Sequence, residues 1–179
     1  MIKNLIKTRE FINKSIGEWR SIRSTHTLAF QEYENTTSNI LIDYLDIDNK
    51  KVSNLVNKFK FKFIPSYALT ICWKSQSDWV DEKELNTDDT ILVFSEKDER
   101  SGIILRNKGY AELVHSCSEY FFDNYENLNL KTEYNSTICN ERIWFLSENL
   151  RSRYSVIKNK ISDSVLQTSH SSEIRRIIT

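Results

Sequence analysis

Residues 138–158 read ICNERIWFLSENLRSRYSVIK, two runs of β-branched and aromatic residues either side of the polar turn Ser147-Glu148-Asn149. Side chains alternate faces along a strand, so this stretch predicts a hairpin of strands Ile138–Phe145 and Arg151–Lys158. Glu141, Ile143 and Phe145 then share one face of the first strand, with Arg142 and Trp144 on the other. On the second strand Arg151, Arg153, Ser155 and Ile157 point the same way. The same pattern extends towards the N-terminus. After Pro65 come Tyr67–Lys74, Asp78–Lys83, Thr90–Ser95, Gly102–Asn107, Ala111–Phe122 and Leu128–Asn135, divided by polar turns such as Asn86-Thr87-Asp88-Asp89. Trp19–Leu28 and Ser38–Leu45 precede them. Helices are expected at Asn4–Ser15 and, behind an Asp48 cap, at Asn49–Phe59, where Val52, Leu55, Val56 and Phe59 recur at helical spacing.

Closely spaced short strands of this kind describe an antiparallel meander. Closure removes its exposed edges, and about eight to ten strands enclose room for one small ligand. The expected fold is therefore mainly β: a single up-and-down barrel of about ten strands, with an N-terminal helix and one helix after the second strand. No linker or internal repeat divides the chain, so residues 1–179 are read as one domain. The serine-rich stretch from Ser162 is read as a partly mobile tail over residues 162–179.

Composition narrows the chemistry. The 179 residues carry 25 Lys plus Arg against 25 Asp plus Glu, a formal net charge of zero, which disfavours long-range attraction to nucleic acid or an anionic membrane. With 3 Gly and 1 Pro in the whole chain, a glycine-rich phosphate loop has nowhere to sit. Cys72, Cys117 and Cys139 are odd in number and widely spaced, which suggests neither a disulfide framework nor a structural zinc site. The start of the chain lacks a secretory or transit pattern. The apolar segment Phe63–Trp73 falls short of the roughly 18 residues that suggest a membrane span.

Strand parity supplies the candidate site. Two arginines facing one way beside a glutamate on the neighbouring strand fit a solvated outer face. Placed inside a barrel, the same guanidinium groups are costly unless anions pair with them. Their planar forks suit carboxylates. Tyr67, Leu69, Ile71 and Trp73 share a face, with Trp79 on the next predicted strand, and such a wall serves either as core or as packing for a flat ligand. Hydrolytic constellations are absent from the sequence: His26, His115 and His170 are far apart, and neither GxSxG nor HExxH occurs.

Six segments together make a specific resemblance: Glu18–Phe30, Gly109-Tyr110-Ala111-Glu112, Thr132-Glu133-Tyr134, Glu141–Phe145, Asn149–Arg153 and Ser172-Glu173-Ile174-Arg175. In order and over nearly the whole chain, the sequence resembles the S-type phycobiliprotein chromophore lyases, the CpcS/CpeS family. The resemblance implies a lipocalin-like barrel that binds a linear tetrapyrrole and attaches it through a thioether to a cysteine of a phycobiliprotein α or β apo-subunit, with no metal or nucleotide cofactor. Position by position, it implies Glu141 as the catalytic acidic group and Arg23, Trp73, Trp79, Arg151 and Arg153 as bilin-binding residues. Glu141 would pair with pyrrole N–H groups and favour the protonated bilin. The competing reading is that it pairs with Arg151 or Arg153 and positions them. The partners expected are a phycobilin and the apo-subunit, with neither nucleic acid nor membrane involved and a homodimer left open. The Asn-, Lys- and Ile-heavy composition suggests a plastid stroma, with a cyanobacterial cytoplasm as the alternative. A non-enzymatic carrier of a small amphipathic acid is the rival function.

Overall fold

Alternating residue patterns fold here into ten strands whose hydrogen-bonded order closes on itself. The structure, a computed structural model, describes residues 5–77, 86–109, 111 and 114–177. The chain opens with α1 (Thr8–Ser15), then β1 (Gly17–Thr27) and β2 (Glu32–Leu45), followed by α2 (Lys50–Val56). An antiparallel run follows: β3 (Tyr67–Ser77), β4 (Asn86–Asp98), β5 (Ser101–Arg106), β6 (Ser116–Phe122), β7 (Leu128–Glu133), β8 (Thr137–Ser147), β9 (Leu150–Asn159) and β10 (Val165–Arg175). Neighbours in sequence are neighbours in the sheet, and β10 pairs with β1 from Trp19↔Arg175 to Thr27↔Gln167. The barrel expected from the sequence is the barrel observed.

The helices have different tasks. α1 pushes Phe11 and Ile12 into the barrel, where they pack with Trp19, Ile42, Phe122 and Leu128. Phe11 meets both Phe122 and Phe145 with ring centroids 5.3 Å apart. Thr8 ties the helix down: its backbone N–H donates to the Glu99 carbonyl (2.8 Å), and its hydroxyl shares a hydrogen bond with Tyr120 (3.2 Å). From β10, Arg175 donates to the carbonyls of Lys14 and Ile16 at the helix C-terminus. Gly17 turns the chain into β1 at φ +122°, a backbone conformation that L side chains rarely adopt and that favours glycine. α2 lies outside, burying Val52 and Leu55 against Ala68, Ile91, Val93 and Leu105.

Several boundaries differ from the sequence reading. α1 starts at Thr8 rather than Asn4, and α2 ends at Val56, short of Phe59. Its cap is Asn49, whose side chain accepts from the Lys51 N–H (2.9 Å), not Asp48. Within the expected strand Ala111–Phe122 the described strand β6 begins at Ser116, and Asn86–Asp89, read as a turn, begins β4. The segment Asp78–Lys83, expected as a strand, lies outside the described residues. Most consequential is the serine-rich stretch, read as a partly mobile tail. It supplies β10, held by ladders to β9 and β1 on both sides. Its inward residues Ser169, Ser171 and Glu173 are buried, so polar side chains fill positions where apolar ones usually betray a strand.

Candidate functional site

A cavity of about 370 Å³ occupies the barrel interior, within the size range of small-molecule sites. Phe11, Ile12 and Ser15 of α1 form its floor, and Ile40, Ile42, Leu69, Ile71, Leu92 and Phe94 give it an apolar wall from β2, β3 and β4. The cationic and polar groups of the lining come from the flanking and remaining strands: Arg23 on β1, Arg106 on β5, Arg151 and Arg153 on β9, and Ser171 and Glu173 on β10. Trp73, Asp88 and Lys108 line the more exposed part. The face that carries Arg151 and Arg153 is therefore interior, not a solvated outer face.

Charge inside a barrel must be compensated, and the pairing is specific. Glu141, its side chain 0% exposed, receives Arg106 Nη2 on Oε2 at 2.9 Å and Arg153 Nη2 on Oε1. Burial alone would raise its carboxyl, but the fields and hydrogen bonds of Arg106 and Arg153 prevail and hold it down to about 2. Arg151 is buried too. It donates to Glu173 and lies 4.5 Å from the Trp19 ring, against which Arg175 also stacks at 4.3 Å. Trp19, fully buried, donates its indole N–H to the Ser15 carbonyl at 2.9 Å. Lys108 pairs with Asp88. Arg23 has no carboxylate within salt-bridge distance among the described residues, and its buried Nε lacks a hydrogen-bond partner among them. Five cations (Arg23, Arg106, Arg151, Arg153 and Lys108) therefore face three carboxylates (Glu141, Glu173 and Asp88), an excess of two positive charges in and around the cavity.

This arrangement brings Arg23, Trp73, Arg151 and Arg153, the described residues among the bilin-binding ones that the resemblance implied, to one cavity; Trp79 lies outside the described residues. Glu141 sits behind the cavity wall rather than on it, with both oxygens occupied by arginines, one of them Arg153. That geometry matches the positioning role weighed against direct contact with a ligand. Arg106, Lys108, Asp88 and Glu173 were not picked out as site residues from the sequence. Arg106 had a readable signal: it shares a strand face with Ile104 in the otherwise apolar run Ile103–Leu105, where a lone charge marks a partnered interior site.

A closed antiparallel barrel with a helix in one end, an apolar wall and an arginine-rich face belongs to the lipocalin-like ligand-binding barrels. A sequence profile of the family described as CpeS-like protein matches residues 7–176. The chain is 38% identical over 169 residues to chromophore lyase CpcS/CpeS 3 of Trichodesmium erythraeum, covering 93% of this chain and 97% of that one. It is 31% identical to the phycocyanobilin lyase subunit CpcS of Picosynechococcus, over 88% and 81% of the two chains. The solved S-type phycobiliprotein lyase CpeS of Guillardia theta superposes with a TM-score of 0.83 at 30% identity, covering 97% of this chain and 95% of that one. The chain belongs to the CpeS-like family.

Proposed function

We propose that this protein is a phycobiliprotein chromophore lyase, which binds a linear tetrapyrrole and joins it through a thioether to a cysteine of a phycobiliprotein subunit. The observation that carries this reading is the match between cavity and ligand. A bilin is a flat conjugated chain bearing two propionates, and the cavity combines an apolar wall with an excess of two positive charges. Charge-assisted bonds from planar guanidinium groups favour carboxylates over other polar groups of similar size. Arg23 and the Arg106–Glu141–Arg153 cluster, where two cations share one anion, hold the uncompensated charge. Arg151, already engaged by Glu173 and Trp19, holds the wall in shape.

Attachment is an addition. The acceptor's thiol sulfur bonds to the ethylidene carbon of the tetrapyrrole, its proton is taken up by the chromophore, and no group leaves. Such a step is redox-neutral and requires neither nucleotide nor metal. The barrel's contribution is to hold the bilin in one conformation and orientation towards the incoming thiol and to keep competing water and oxidants from it. The finer reading of partner is an α or β apo-subunit. For location it is a plastid stroma, suggested by the Asn-, Lys- and Ile-rich composition, while the mostly cyanobacterial relatives suit a cyanobacterial cytoplasm.

The test incubates the protein with phycocyanobilin or phycoerythrobilin and an apo-subunit, followed by peptide mass analysis. An acid-stable bilin adduct on a single subunit cysteine, formed faster and with fewer side products than without the protein, is the expected result. Bilin binding with no acceleration of adduct formation would identify a carrier and overturn the lyase reading.

A further inference from the structure

The protonated form of a bilin needs an anion near its pyrrole nitrogens, and three carboxylates belong to this interior. Two are already committed. Glu141 is fully enclosed with an arginine on each oxygen, and Glu173 is buried against Arg151. Asp88 differs. It lines the cavity with its side chain 35% exposed. Its Oδ1 receives both Lys108 and the Asp89 N–H (2.8 Å for the latter), whereas Oδ2 takes no hydrogen bond among the described residues. In the β3–β4 ladder Asp88 lies directly opposite Trp73, and facing residues in such a pair stand about 5 Å apart at Cβ. A ring packed on Trp73 therefore carries its nitrogens past a carboxylate oxygen to which no described residue donates.

We propose that Asp88, rather than Glu141, is the carboxylate that accepts the pyrrole N–H groups and stabilises the protonated bilin, with Lys108 as its protein partner. The inference rests on the lyase reading and deepens it. The charged groups around Asp88 fit this role. Lys108 approaches from the segment after β5, Arg106 lies deeper on β5, and Arg23 lines the cavity from β1. From β3 the facing residue is the uncharged Trp73, and Asp89 turns to the outer face beside α2. The hydrogen bond from Lys108, assisted by that of the Asp89 N–H, keeps Asp88 below the usual carboxylate range and hence ionised at neutral pH. When a cationic tetrapyrrole arrives, it shares this anion with Lys108. The freed ammonium remains in the more exposed part of the cavity, where water solvates it.

The test follows the absorption of phycocyanobilin at saturating protein across roughly pH 9 to 5 for the parent, Asp88→Asn, Lys108→Met and Glu141→Gln. An opposite charge at contact distance shifts a titration by about 1 unit or more. Asp88→Asn is therefore expected to lower the protonation midpoint of bound bilin by that amount, and Lys108→Met to raise it. Glu141→Gln is expected to weaken binding while the midpoint of whatever binds stays in place. A midpoint that ignores Asp88→Asn, or that moves with Glu141→Gln in its stead, overturns the proposal. A parent protein that leaves the spectrum of free bilin unchanged would overturn the functional reading itself, an outcome separate from any difference among the variants.

Discussion

Replacing Glu141 by Gln preserves the side chain's shape and one acceptor oxygen but removes the charge that Arg106 and Arg153 surround. The folded protein holds this carboxyl at about 2 against an ordinary value of 4.5. A group depressed on folding stabilises the fold at pH above its unfolded value, and that contribution is lost as pH falls through the folded one. The difference corresponds to about 3 kcal/mol at pH 7, still about 2 at pH 3.5 and under ~1 near pH 2.5. Breaking a buried pair by removing one partner costs a similar amount. With a urea dependence of about 2 kcal/mol per molar, Glu141→Gln should lower the unfolding midpoint by about 1.5 M at pH 7. Parallel urea titrations of parent and variant, followed by tryptophan fluorescence at neutral and acid pH, should show this gap closing between about pH 4.5 and 2. A gap below about 0.3 M at pH 7, or one that persists unchanged in acid, would refute the buried three-group cluster.

Four other outcomes follow from the same geometry. Arg23→Ala removes a cation without breaking a carboxylate pair, so stability should stay within about 0.5 kcal/mol in urea titration while bilin affinity falls about tenfold by absorbance titration. Arg151→Met strands Glu173 in the wall and should cost about 3 kcal/mol in urea, whereas Arg151→Met combined with Glu173→Met should recover much of the loss. Burial pushes the Cys139 thiol up to about 12 and also raises Cys117, while Cys72 is exposed. A thiol-reactive chromogen at mildly alkaline pH should therefore label Cys72 promptly and leave Cys139 untouched until the protein unfolds. Chelators should leave bilin transfer unaffected; a loss restored by one divalent ion would contradict this, and among the described residues no three His, Cys, Asp or Glu side chains are grouped to hold a metal.

The barrel was legible because its strands alternate, and alternation in the hairpin from Ile138 to Lys158 already put Arg151 and Arg153 on one face. The inward direction of that face was not legible, since polar residues line much of the interior. Ser169, Ser171 and Glu173 are buried inward positions of β10, and their polarity made the closing strand look like a solvated tail. Ion-pair partners were hidden for another reason. Arg106 lies 35 residues from Glu141 on a strand that is not its neighbour, and Glu173, although directly opposite Arg151 in the β9–β10 ladder, belongs to the stretch that reads as a tail. Even within the hairpin, register decides the outcome. Ser155 stands opposite Glu141 and Ile143 opposite Arg153, so Glu141 reaches Arg153 on the diagonal and Arg151 is left for Glu173. Asp88 was placed in a turn by its Asn-Thr-Asp-Asp setting, yet it extends β4 opposite Trp73.

The central claim is that two uncompensated positive charges inside the barrel receive the two propionates of a linear tetrapyrrole. Side-by-side titration of the parent protein with a bilin and with its dimethyl ester, identical in conjugation and nearly so in shape, tests this most directly. Each charge-assisted contact contributes about 1.5–3 kcal/mol, so the free acid should bind at least about a hundredfold more tightly than the ester, with the difference shrinking at high salt. Equal affinity for acid and ester would contradict the account, because the arginines could then not be the groups that hold the ligand.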